Sequence, residues 1–381
     1  MNGFFKIAAA TPRLNLGDPA ANAKELARIA KEAAKDGAAA IVFPELCLTG
    51  YTCGDMFFRE ELLQAASDSA NAFAAKTAKL PIVSIVGLPI AEGAAIYNAA
   101  AVVHGGKIVG IVRKRALPNY GEYYERRQFT PAQADEPVTV FDVGGFRFGV
   151  EICEDLWTPI PPSSLMAGEG VDMIFNLSAS TDFLGKSQKR KSLVEQQSLR
   201  LGCAYAMACA GTGESSSDAV FGGGSLIAAE GKTVAEIKLF SGSPKIVAAN
   251  VDVSAMRHRR RSSSSVYCAH SVLGAQRRVV SLPVNLPDSA PTDVSRSPFL
   301  DEYGEDRWWS KILDIQSAGL ARRMASAVAG KLVIGVSGGA DSALASSAPQ
   351  GQPPTSSSPP PLCSRRCRLS FSCRSGSPDW A

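Results

Sequence analysis

Three side chains of complementary chemistry stand at the ends of three apolar runs. Residues 146–157 (FRFGVEICEDLW) alternate apolar positions and deliver Cys153, after which Glu154 and Asp155 turn the chain away. Residues 38–46 (AAAIVFPEL) read as a buried strand ending in Glu45, and residues 107–114 (KIVGIVRK) as another ending in Lys114. Taken singly, each has a plainer reading, the cysteine as a small core residue and the two charges as solvated strand ends. Together they make a set for opening an amide. A thiolate attacks the carbonyl carbon, but a free thiol near pKa 8.5 is mostly protonated at neutral pH. A carboxylate can take that proton and return it to the departing amine. A fixed ammonium, with a backbone N–H after the nucleophile, stabilises the oxyanion. The chemistry needs no histidine, and His104, His258 and His270 are the only three in the chain, none beside a Ser or Cys in an elbow motif.

The elements that must hold these groups alternate between β and α patterns. Residues 4–10 read as a strand and 22–35 as a helix with apolar residues three and four apart, stopped at Asp36-Gly37. Residues 61–79 continue as a helix and 81–89 as a strand, and 97–110 as a hairpin turning at Gly105-Gly106. Beyond the cysteine come a short helix (163–169), a strand (171–177), a helix (189–201) and a buried strand (203–210). A loop with a hairpin (211–232) and a last strand of the domain (246–253) complete the series. Such alternation is that of a layered α/β domain. The length of 381 residues admits two domains. A formal charge of +4 is too small to imply a nucleic-acid partner, and no run of eighteen apolar residues or leader-like N-terminus appears, so a cytoplasmic protein with no membrane partner is expected. The nine cysteines show neither zinc spacing nor the density of a disulfide scaffold.

Four segments carry a resemblance. FPELCLTGY (43–51), RKRALPNYGEYYERRQF (113–129), GVEICEDLW (149–157) and FNLSAS (175–180) resemble, in order and spacing, the nitrilase-type glutaminase domain of the glutamine-dependent NAD synthetase family. The resemblance implies a nitrilase-like four-layer αββα sandwich over residues 1–275, with Glu45, Lys114 and Cys153 catalytic and Glu125 orienting the lysine. It further implies that Tyr120, Tyr123, Glu154, Ser180 and Lys186 bind glutamine, and that Glu214 and Asp218 lie in a segment near the site. Without it, residues 117–129 (LPNYGEYYERRQF) read as a solvated connection pinned by its aromatic residues, Ser180 as a turn cap, and Lys186 as a cation lacking the fork of arginine.

From residue 254 the composition changes. The basic run RHRRR (257–261) and four consecutive serines suggest a mobile connector, with residues 276–297 as linker. Residues 298–326 read as a helix with Ile312, Ile315, Leu320 and Met324 near one face, and 331–336 as a strand followed directly by SGGADS (337–342). Glycines admit close backbone approach there, and N–H groups at a helix start bind phosphate oxygens, although no Gly-Lys-Ser/Thr follows as in a Walker A loop. KLVIGVSGGADSALA (331–345) resembles the opening of the family's ATP-pyrophosphatase domain, an α/β fold of the PP-loop type. This implies that Ser337, Gly338, Gly339, Asp341 and Ser342 bind ATP. The domain fragment is expected over 298–345. Residues 346–381, with ten Ser and seven Pro, cannot bury a core, and the expectation is disorder and a reading frame lost near Ala345. The complete family enzyme uses glutamine, nicotinate adenine dinucleotide and ATP with magnesium as substrates, and is expected as a homo-oligomer; the glutaminase step needs no cofactor. Two alternatives stay open: a stand-alone amidase or carbamoylase of the nitrilase superfamily, and a non-catalytic oligomerising remnant.

Overall fold

The first βα unit sets the plan. β1 (Phe4–Thr11) leads to α1 (Pro19–Lys35), whose N-cap Asp18 accepts from the N–H of Ala21 at 3.0 Å and whose first turn holds Pro19, where an N–H has no helical partner to lose. Ala23, Leu26, Ile29, Ala30 and Ala33, three and four residues apart, form its buried face. β2 (Ala38–Val42), α2 (Glu60–Thr77), β3 (Val83–Glu92), β4 (Ala95–His104) and β5 (Lys107–Arg113) follow. After α3 (Glu125–Gln128) come β6 (Val138–Val143), β7 (Phe146–Ile152), α4 (Pro162–Ala167), β8 (Met173–Ser178), α5 (Lys186–Leu201) and β9 (Ala204–Cys209). β10 (Leu226–Ala229), β11 (Lys232–Glu236), β12 (Lys245–Asp252), α6 (Val253–Ser262) and β13 (Arg277–Leu282) complete the series. The structure is a computed structural model that describes residues 3–215, 218–242, 244–263, 277–289, 307–328 and 331–347.

The strands form two sheets, one in the order β12-β1-β2-β3-β4-β5 and the other β11-β10-β9-β8-β7-β6-β13. β1, β2 and β3 run parallel, as do β7, β8 and β9. The sheets face each other across one core, with Phe5, Ile7, Val42, Ile85 and Val102 on one side and Phe141, Phe148, Val150 and Phe175 on the other. A second core lies between the six-stranded sheet and helices α1 and α2, and a third between the seven-stranded sheet and α4 and α5. The result is the four-layer αββα sandwich. In β7 the period of two sends Phe146, Phe148, Val150 and Ile152 into the inter-sheet core. Gly149 and Glu151 therefore face the helices, and a Cβ at Gly149 would stand 2.2 Å from the Met166 sulfur.

The end of this unit differs from the expectation. β12 is not its last strand, because β13 pairs in parallel with β6, from Arg277 opposite Val138 to Leu282 opposite Val143. The expected linker 276–297 thus begins as sheet, continues with Leu286 in the inter-sheet core, and reaches Ser289, whose N–H donates to the Phe4 carbonyl at 3.0 Å. β13 is an edge strand held through the free backbone edge of β6, so its sequence, RRVVSL, carries no strong alternation. The basic run is not a mobile connector either: it lies in α6, capped by Asp252 on the Ala255 N–H at 2.8 Å, with Val253 and Met256 buried. Arg257 and Arg260 both bond the buried Asp172, at 2.5 and 2.7 Å. Residues 264–276 lie outside the described residues.

The chain divides into two compact units, Met1–Asp293 and Val294–Ala381. In the second, helices Arg307–Ser326 and Ala340–Ser347 are present. Residues 331–336, expected as a strand, join no ladder: among the described residues of this unit no strand offers the hydrogen bonds that a parallel strand requires. Residues 298–306, the expected start of the first helix, and 348–381, most of the expected disordered tail, lie outside the described residues. No helix among the described residues is long and apolar enough to cross a membrane.

Candidate active site

Glu45, Lys114 and Cys153 all sit just beyond strand ends, after β2, β5 and β7, where α/β sheets present chemistry. Two of them come from one sheet and the third from the other. Lys114 extends the ladder of β5, its N–H donating to the Asn98 carbonyl at 2.8 Å. Glu45 is fully buried and is followed by Leu46 at φ +49°; Cys153 itself has φ +46°. Left-handed backbone is disfavoured for a side chain with Cβ and persists only where the surroundings over-determine it. β3 supplies that constraint beside Glu45. A Cβ at Gly87 would stand 2.3 Å from the Leu46 nitrogen and 2.7 Å from the Pro44 carbonyl oxygen, so only glycine lets the strand approach this turn.

The charges form one buried cluster. Lys114 Nζ donates to Glu45 Oε1 at 2.6 Å and to Glu125 Oε1 and Oε2 at 2.6 and 2.9 Å. Asn98 Nδ2 donates to Glu45 Oε1 at 2.7 Å, and the Ala179 N–H to Glu45 Oε2 at 2.9 Å. Glu125 also accepts from the Tyr51 hydroxyl at 2.8 Å. Burial alone would push the Lys114 ammonium down, but Glu125 and Glu45 outweigh it and hold it well above its ordinary value. Burial pushes the Glu125 carboxyl up to about 7, against the pull of Lys114. One cation between two carboxylates leaves one negative charge over.

That charge acts on the thiol. Burial, and then Glu45, push Cys153 far above the ordinary range, with Lys114 and a hydrogen bond from the Ser178 hydroxyl (3.4 Å) opposing. At rest Cys153 is therefore a protonated thiol beside a carboxylate able to receive its proton. Asn176 Oδ1 accepts the Cys153 N–H at 3.2 Å, and Asp155 fixes the turn by accepting from the N–H groups of Ile152, Arg115 and Ala116 at 3.0, 3.1 and 2.8 Å.

Cys153 opens into a pocket of about 330 Å³. Tyr120, Tyr123, Glu154, Ser180 and Lys186, the five residues expected at the glutamine, all line it, with Trp157 and Phe183 among the other walls. The Tyr120 hydroxyl donates to Glu154 Oε1 at 2.8 Å. Lys186 Nζ donates to the Tyr123 hydroxyl at 2.7 Å and to Thr181 Oγ1 at 3.1 Å, and lies 5.0 Å from the ring centroids of Tyr123 and Phe183. Aromatic rings, two cations (Lys186 and Lys189), two carboxylates (Glu122 and Glu154) and a few hydroxyls make a lining that suits a small molecule carrying both a positive and a negative group. Glu214 is buried at another turn, accepting from the Tyr51 and Thr52 N–H groups at 2.6 and 3.1 Å. It touches the site through Tyr51. Asp218 is exposed.

Sequence reasoning did not single out Tyr51, Asn98, Asn176, Ser178 or Thr181. Asn176 and Ser178 lie inside FNLSAS and Tyr51 ends FPELCLTGY, so the signal lay within segments already marked; Asn98, in an alanine-rich strand, offers none. In the second unit Ser337, Gly338 and Gly339 lead into the helix Ala340–Ser347, whose first turn holds Asp341 and Ser342, with Gly338 at φ +87° and Ser342 Oγ donating to the Gly339 carbonyl at 3.0 Å. An open turn at a helix start fits phosphate oxygens. Asp341 is its only carboxylate, and among the described residues no group of three His, Cys, Asp or Glu side chains is placed to hold a metal ion.

Solved structures and sequence relatives bear on this geometry. The fold is that of an amidase of the nitrilase superfamily from Nesterenkonia AN1, which is 20% identical, with a TM-score of 0.58 over 69% of this chain and 96% of that one. Residues 6–261 match the carbon-nitrogen hydrolase family, and the chain belongs to it. Within that family it is similar to the glutamine-dependent NAD(+) synthetase of Mycobacterium bovis, 34% identical over 90% of this chain and 54% of the relative. It is also similar to the structure of the glutamine-dependent NAD+ synthetase from Acinetobacter baumannii in complex with adenosine diphosphate, 28% identical with a TM-score of 0.60 over 66% of this chain and 46% of that one. The chain spans about half the length of these relatives.

Proposed function

We propose that the first unit is the glutaminase portion of a glutamine-dependent NAD synthetase, hydrolysing glutamine to glutamate and ammonia. The observation that carries this reading is the buried Glu45–Lys114–Glu125 cluster beside a thiol at the wall of a pocket that also holds Lys186. The Cys153 thiol gives its proton to Glu45 as Sγ attacks the side-chain amide carbon. Lys114 Nζ and the Glu154 N–H stabilise the oxyanion. Glu125 and Tyr51 hold the lysine in position. Collapse breaks the C–N bond, Glu45 returns the proton to the nitrogen, and ammonia leaves a thioester on Cys153. Water then attacks the thioester, Glu45 taking its proton, and glutamate departs as the thiol is restored. Tyr120, Tyr123, Glu154 and Ser180 bind the substrate, with Lys186 meeting its carboxylate.

In the complete enzyme the ammonia amidates nicotinate adenine dinucleotide after its activation by ATP with magnesium. Ser337, Gly338, Gly339, Asp341 and Ser342 contact the ATP phosphates. The assembly is a cytoplasmic homo-oligomer. Glutamate release from glutamine, measured beside a panel of other small amides for wild type and Cys153→Ala, tests the proposal. Release from glutamine that vanishes in the variant is expected; preferential turnover of another amide would instead make the chain an amidase of the same superfamily.

A further inference from the structure

β7 turns one carboxylate away from the site. Glu151 faces the helices, is 1% exposed, and takes no part in the chemistry above. Its Oε2 accepts the Ser163 N–H at 2.9 Å, and its Oε1 accepts the hydroxyl of the fully buried Tyr205 at 2.5 Å. The Tyr205 oxygen accepts from Asn176 Nδ2 at 2.9 Å, and Asn176 Oδ1 accepts the Cys153 N–H at 3.2 Å. Burial pushes the Glu151 carboxyl up to about 7; above that pH it is a carboxylate and can only accept, while a phenol has one proton to give. Tyr205 spends that proton on Glu151 and so meets Asn176 only as an acceptor. Asn176 must then present its amide nitrogen to Tyr205 and its oxygen to Cys153. The direction of every bond in the chain is fixed by the acceptor at its far end.

We infer that Glu151 and Tyr205 are positioning residues for the proposed nucleophile: they set which end of the Asn176 amide faces Cys153 and thereby hold its left-handed turn. This rests on Cys153 being the nucleophile. Glu151→Gln keeps shape and size but reverses the polarity. The glutamine oxygen stays on the fixed Ser163 N–H, and its amide nitrogen donates to Tyr205. Tyr205 then donates to Asn176, which turns its own nitrogen toward the Cys153 N–H, donor against donor. Removing the phenol oxygen as well disconnects the reversal from Asn176.

The test is a cycle of Glu151→Gln, Tyr205→Phe and the double variant, read by glutamate release and by the rate of Cys153 alkylation with iodoacetamide, located by peptide mass. Glu151→Gln is expected to lower kcat on the order of 10- to 100-fold, the scale of a misplaced reacting group, with KM unchanged, and to slow alkylation. The double variant is expected to recover to the level of Tyr205→Phe alone. Losses that simply add, or a Glu151→Gln variant equal to wild type in both readouts, would overturn the inference. Should Glu151→Gln fail to fold, Tyr205→Phe alone decides: a severalfold fall in kcat and alkylation at constant KM supports the relay, and no change in either refutes it. Alkylation reads the relay even if glutamine is not the substrate, in which case wild type releases no glutamate while the order of alkylation rates still holds.

Discussion

Replacing Lys114 by methionine removes a cation that touches two carboxylates at 2.6 Å, in a cluster whose side chains are at most 4% exposed. Breaking a buried pair costs about 3–5 kcal/mol, because the remaining charge keeps its desolvation penalty without its partner. Here two carboxylates remain, and one takes up a proton. Glu125 is the candidate, since burial already pushes it up to about 7 with the lysine beside it. A carboxyl raised in the folded state contributes stability that is fully present below its unfolded value and lost as pH rises through its folded one. In wild type that loss is complete not far above pH 7. In Lys114→Met the proton is held to higher pH, so stability keeps falling by about 1.4 kcal/mol per pH unit. Between pH 7 and 9 the deficit of the variant should therefore widen by up to about 3 kcal/mol. Urea unfolding of both proteins at the two pH values measures it. A deficit below about 1 kcal/mol, or one that does not change with pH, would refute the charge accounting, because breaking the pair should cost more than that. Glutamate release by the variant should fall on the order of 100- to 1000-fold, the loss that accompanies removal of an oxyanion donor.

Gly87→Ala drives a methyl into the backbone of the Glu45 turn, 2.3 Å from the Leu46 nitrogen. Overpacking of this kind costs about 1–3 kcal/mol, and turnover should fall further than stability does, as urea unfolding and glutamate release measured side by side will show. Lys186→Met removes the one cation that bonds Tyr123 and Thr181 in the pocket. If the ammonium meets the substrate carboxylate, KM should rise roughly 10- to 100-fold with kcat within a few-fold, matching a charge-assisted hydrogen bond of about 1.5–3 kcal/mol. An unchanged KM with a fallen kcat would place Lys186 elsewhere in the reaction.

The sequence made the elements of the first unit legible because their periods are clean. α1 needed only Asp18-Pro19 before a run of apolar residues at three and four, although its cap lies earlier than the periodicity alone suggested. β7 carried Cys153 on a strict alternation. What stayed hidden depended on partners distant in the chain. Nothing in RRVVSL says that β13 will meet β6, since an edge strand gains its place from backbone hydrogen bonds. The arginines of α6 looked solvated because Asp172, their anchor, lies about 90 residues earlier. The reverse error occurred at 331–336, an apolar run whose pattern is that of a strand but which has no neighbouring strand among the described residues. At the site, charged residues and the thiol were visible by type. Asn98 and Asn176 were not, because an asparagine declares its role only when its amide is placed between a specific donor and acceptor.

Glu45 and Lys114 belong to one sheet and Cys153 to the other, so the triad exists only across the seam between them. A half-formed chain, with either sheet alone, holds the thiol without the carboxylate or the carboxylate without the thiol. The site is in that sense a latch that closes only when the two halves have met. Until then Cys153 is an ordinary thiol with no buried carboxylate beside it to take its proton. The same arrangement would make the proposed amide hydrolysis a sensitive gauge of sheet-to-sheet docking, failing at the first loosening of the seam while each sheet still keeps its own hydrogen bonds.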